Sequence, residues 1–101
     1  MDNWLEDIMS LDMNTVEAGE NVYKIRVYGR GLHLIFKENE KGLICHIDAE
    51  HGVIYQKSIK IWDTTNEKIR ETEKDRIVEL IVKYYKQFYN KGVIVSDSLN
   101  Y

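Results

Sequence analysis

Three histidines, one cysteine and a few closely spaced carboxylates are the residues of this 101-residue chain that could do chemistry. His33 and His46 are the first to weigh. The strand register derived below sets them opposite each other on one outer face of a sheet, with Cβ atoms within about 5.5 Å. Two imidazoles at that distance could begin a metal site, and His51 is close along the chain. A metal site needs three or four ligands, however, and the other candidates do not converge. Cys45 alternates to the inner face, and Asp48 falls two residues along, opposite Gly31. The pair therefore reads as surface histidines, and no metal or cofactor is expected. Because histidine titrates near neutrality, a pH-sensitive contact with a partner is the alternative use of the same two rings.

The remaining arrangements resolve into structure. Cys45-His46 is not a nucleophile–base pair, since successive strand side chains point to opposite faces. Gly29-Arg30-Gly31 holds a GxG fragment, but the third glycine and following helix of a phosphate-cradling loop are missing. A tight hairpin explains both glycines. Glu71 and Asp75 could face each other on a helix, yet they fall in its first turn, where acidic residues complement the helix dipole. Tyr85 and Tyr89, offset from the buried stripe of that helix, either cover a sheet edge or stand exposed as an interface pair. No catalytic residue is assigned and the chain is read as a non-enzyme; a small enzyme would have to rest on His33 and His46.

The elements that position these residues follow from periodicity. From Gly19 the pattern alternates: Tyr23, Ile25 and Val27 share a face while Lys24 and Arg26 take the other. A two-residue turn at Gly29-Arg30 would pair Val27 with Leu32, Ile25 with Leu34 and Tyr23 with Phe36. The next connection, residues 38–41, pairs Phe36 with Leu43, Leu34 with Cys45 and Leu32 with Ile47. A fourth strand over 53–62 would place Val53 opposite Ile47 and Tyr55 opposite Cys45, with a bend or bulge near Lys57-Ser58. Asp63-Thr64-Thr65-Asn66 is turn-rich. Thr72 with Asp75 resembles a capping box, and Ile77, Leu80, Ile81, Tyr84 and Phe88 form the stripe of a helix over 72–90. Gly92 is expected as the left-handed stop, before a short edge strand at 93–95. Residues 1–18 form an acidic segment in which Trp4, Leu5, Ile8 and Met9 fit a short amphipathic helix. The predicted class is α+β: a single domain whose antiparallel meander of four to five strands, over 21–62, is covered on one face by helix.

Composition bounds what such a domain does. The chain is 44% hydrophobic and 31% charged, which is globular rather than disordered. No stretch approaches the roughly 20 apolar residues of a membrane span, and the N-terminus is acidic where a secretory leader is basic. One cysteine allows no internal disulfide and fits a reducing compartment, so a soluble, cytoplasmic protein is expected. Net charge is −3, but residues 1–20 hold six acidic and no basic residues. The other 81 residues carry 14 basic and 11 acidic groups. That balance disfavours a nucleic-acid partner; the acidic segment reads first as a solvated N-terminus, with a basic protein partner met through complementary potential as the alternative.

One stretch, residues 52–92, carries a resemblance. Tyr55-Gln56-Lys57-Ser58-Ile59-Lys60-Ile61-Trp62, a polar loop, the acidic helix start Glu71-Thr72-Glu73-Lys74-Asp75-Arg76-Ile77 and the close Tyr89-Asn90-Lys91-Gly92-Val93 together resemble immunity proteins of bacterial polymorphic-toxin and contact-dependent inhibition systems. The resemblance implies a cytoplasmic protein that binds one cognate toxin domain, in many cases a nuclease, and occludes it. No motif of the family transfers a contact residue here. On charge alone, Glu6, Asp7, Asp48, Glu50 and Asp63 are the expected toxin-facing residues. A small regulatory or assembly subunit, acting through a permanent interface, is the alternative.

Overall fold

A computed structural model describes residues 4–97. Asp2, counted above among the acidic N-terminal residues, and the side chain of Trp4 lie outside the described residues. The element order is α1 (Trp4–Met9), β1 (Asn14–Ala18), β2 (Asn21–Tyr28), β3 (His33–Glu38), β4 (Lys41–Asp48), β5 (Val53–Tyr55), β6 (Ile61–Trp62), β7 (Glu67–Lys68), α2 (Glu71–Tyr89) and β8 (Ile94–Ser96). Strands β1-β2-β3-β4-β5-β8 form a six-stranded sheet, antiparallel except for the β5–β8 pair, and β6 with β7 makes a separate small hairpin. The fold is α+β. Strand β1 was hidden in the sequence because only Val16 of its five residues is even half-buried.

Registers show which pairings the alternation could decide. Between β3 and β4 the expected pairs form: Leu34 with Cys45 and Phe36 with Leu43, closed by the tighter turn Asn39-Glu40. Between β2 and β3 the ladder slips by two residues, pairing Val27 with Leu34 and Ile25 with Phe36. Gly29, Arg30 and Gly31 all take positive φ (64°, 61° and 83°), so the connection is a longer loop than a two-residue turn. A slip of two preserves the faces. It leaves Leu32, expected in the core, outside the ladder and 54% exposed.

Between β4 and β5 the slip is one residue, which exchanges the faces. Asp48 pairs with Val53, Ile47 with Ile54 and His46 with Tyr55. Ile54 is therefore buried, whereas Val53 and Tyr55 stand on the outer side half-buried. Within the shortened connection, Asp48 Oδ1 accepts the His51 N–H at 3.1 Å. The expected bend is a 3-10 turn, Gln56–Ser58, after which Ile59 and Trp62 rejoin the core.

Helix α2 covers the core face of the sheet. Ile77, Val78, Ile81, Tyr84 and Tyr85 are buried, and Tyr84 packs against Tyr23 with ring centroids 5.4 Å apart. The stripe is thus centred nearer Tyr85 than its spacing implied, and Tyr85 is not an exposed interface residue. Two boundary expectations are corrected. The helix begins one residue before Thr72, after an extended Arg70 without a side-chain cap, so no capping box forms. The left-handed stop is Asn90 (φ 58°), a residue type that tolerates that conformation, rather than Gly92. The final strand lies at Ile94–Ser96, one residue later than expected.

The outer face is covered in part by α1, so helix lies on both faces of the sheet rather than one. A Cβ added at Gly42, on that outer face, would meet the Met9 sulfur at 2.8 Å. Arg26 Nη1 donates to the Asp12 carbonyl at 2.7 Å, tying the segment after α1 to β2. Ile35 is fully buried on this side, apart from the main core.

Candidate binding surface at the end of the meander

Registers bring four rings into one row across the outer face: Tyr28 beside His33, His33 beside His46, and His46 beside Tyr55. Ring centroids are 5.2 Å apart for both Tyr28–His33 and His33–His46. The facing histidines follow from the β3–β4 register and were legible in the sequence. The two tyrosines were not, because each depends on a slipped register.

Backbone and side chains fix this row. His33 packs over Gly29, where a Cβ would lie 2.7 Å from its Nδ1, so only glycine leaves room for the ring. That Nδ1 is buried with no hydrogen-bond partner. The N–H of His46 donates to Ser58 Oγ at 2.9 Å. Burial, and secondarily the neighbouring His33, holds the His46 imidazole below its ordinary value, favouring the neutral ring.

Beside the row lies a cavity of about 190 Å³ lined by Leu32, His33, His46, Ile47, Asp48 and Tyr55. Its walls are ring and aliphatic surface, with Asp48 as its carboxylate. Asp48 Oδ2 meets His51 Nδ1 at 2.8 Å. Their hydrogen bond lowers the Asp48 pKa and raises that of His51, with mutual attraction adding to the effect. An engineered apolar cavity of about 150 Å³ admits benzene, so this one can receive an apolar or aromatic side chain.

The acidic residues expected to face a toxin fall into separate places. Asp48 lines the cavity and Glu50 is exposed on the adjoining loop. Glu6 and Asp7 are exposed on α1, whose Met9 lies over Gly42 at the opposite end of β4. Asp63 stands at the strand edge, where its Oδ2 accepts the Ile44 N–H at 2.7 Å. Thr64 Oγ1 and Ser58 Oγ accept the N–H groups of Gly42 and His46, both at 2.9 Å. Three side chains thus complete the edge of β4 that the short β5 leaves open. Asp63 has a structural task that composition could not reveal.

Cys45 is fully buried and its thiol is pushed up to about 12 by burial, with Asp63 adding to the shift. The thiolate is the nucleophilic form, so this sulfur is inert. Among the described residues, no group of three or more His, Cys, Asp or Glu is placed to hold a metal ion. No described helix is long and apolar enough to cross a membrane. Compared with family models, curated proteins and solved structures, the chain finds no match.

Proposed function

We propose that this chain is an inhibitory binding protein, the immunity partner of a bacterial toxin domain. It docks through the open end of the meander and occludes the toxin's active site. The observation that carries this reading is Leu32: a large apolar side chain 54% exposed at the rim of an apolar cavity. An exposed anchor beside a preformed cavity, with carboxylates next to it, is the anatomy of an interface core and rim. Asp48 and Glu50 supply negative potential there, which steers a basic surface toward the cavity. A nuclease, whose cleft must attract phosphate, is the toxin class whose charge fits. The complex would form in the cytoplasm and needs no cofactor.

The toxin candidate is the C-terminal domain of the protein encoded directly upstream. Mixed with this chain, it is expected to give a one-to-one complex by size-exclusion chromatography with light scattering. Leu32→Ser removes about 1.5–3 kcal/mol of apolar burial, which weakens the complex roughly 10- to 100-fold. Unchanged affinity in that variant would place the interface elsewhere. The alternative, a small assembly subunit, is favoured by edge strand β8, where Ile94 is 70% and Val95 38% exposed. It requires that the purified chain be oligomeric by itself.

A further inference from the structure

A second surface has the opposite charge. A groove of about 390 Å³ runs between the 3-10 turn, strand β7 and the first turn of α2, and Lys57, Lys60, Lys68 and Lys74 line it. Its floor is the apolar edge of Ile59 and Ile69, both buried in the core. Lys57 and Lys60 meet Lys68 and Lys74 because the β6–β7 hairpin returns the chain to the start of α2.

The positive charge is poorly balanced. Glu71, the acidic residue lining the groove, pairs with Lys74 at 2.8 Å. The neighbouring carboxylates look elsewhere: Glu67 binds Lys41 at 3.3 Å, and Glu73 accepts from Trp62 Nε1 at 3.4 Å. Lys57, Lys60 and Lys68 are exposed and make no ion pair with a described residue. Three unpaired ammonium groups around an apolar floor are therefore free for an external anion.

We propose that this lysine groove docks an acidic polypeptide segment of a protein partner. Two features select that occupant. Lys57, Lys60 and Lys68 are exposed and not caged by the fold, so a single small anion would gain little, whereas consecutive carboxylates engage several lysines at once. A nucleic-acid strand needs a basic footprint longer than one groove, and the chain as a whole carries a net charge of −3. A short acidic segment stays within the groove. The site is separate from the ring row and does not depend on the inhibitory reading.

Fluorescence anisotropy with labelled hexaglutamate tests this on the full chain. Saturable binding is expected at about 20 mM salt, weakening steeply by about 150 mM. The double variant Lys57→Glu, Lys68→Glu should lose about tenfold or more in affinity, while Lys91→Glu, a charge change outside the groove, should not. Amide shifts of the wild-type protein on peptide addition should centre on residues 57–60 and 68–74, a readout that holds even if the variant misfolds. Absence of binding, equal weakening by Lys91→Glu, or tighter binding of a short oligothymidine would each overturn the proposal.

Discussion

Side chains do at single sites what the backbone cannot. Asp63 accepts the Ile44 N–H where β5 is too short to reach. Asp63→Ala should cost about 2 kcal/mol in urea unfolding, because a charge-assisted acceptor is lost to a half-buried N–H; Asp63→Asn, which keeps an acceptor, should cost about half that. The histidines make a second test. In an NMR titration His51, raised by its bond to Asp48, should titrate above His46, which is lowered chiefly by burial. His33→Gln removes the like charge and should move His46 up toward 6.5. The sign for stability follows. His46 binds its proton more readily in the unfolded chain, so its contribution is full above about 6.5 and declines as pH falls toward its lower folded value. His51 acts oppositely, stabilising below 6.5 and losing that contribution as pH rises through its raised value.

Elements were legible where their own pattern decided them and illegible where a neighbour did. The β3–β4 register followed from two apolar alternations that agree with each other. The β2–β3 and β4–β5 registers go with loops in which Arg30 takes positive φ and Asp48 bonds across its turn, local features that hydrophobic spacing does not record. For the same reason Leu32 looked like core. Helix α2 announced itself through Ile77, Ile81 and Tyr84, but its stop depends on Asn90 accepting the left-handed conformation. Asn90→Ala should therefore destabilise by about 1 kcal/mol, while Asn90→Gly stays within about 0.5 kcal/mol of wild type, read by thermal unfolding. The last turn of α2 also serves the sheet: Tyr89 Oη accepts the Val27 N–H at 3.0 Å, past the end of β1. Tyr89→Phe should cost about 1 kcal/mol and speed hydrogen exchange at Val27 ahead of its neighbours in β2.

At the scale of the molecule, two surfaces of opposite character stand on one small frame. The meander's open end offers an apolar cavity with Asp48 and Glu50, and the start of α2 offers lysines. Composition carried the acidic bias but not its distribution: Glu6 and Asp7 sit at the other end of β4, and Asp63 is occupied within the fold. The candidate site was half legible, through the facing histidines, and its tyrosines and exposed leucine emerged only with the registers. The proposed inhibition of a toxin through that open end is read out by growth rescue. The C-terminal domain encoded upstream is expressed alone, with this chain, and with its Leu32→Ser, Asp48→Lys variant. Growth arrest, full rescue and lost rescue are expected respectively, with the variant accumulating to wild-type level. A toxic domain that this chain fails to rescue, or one rescued equally by the variant, would contradict it.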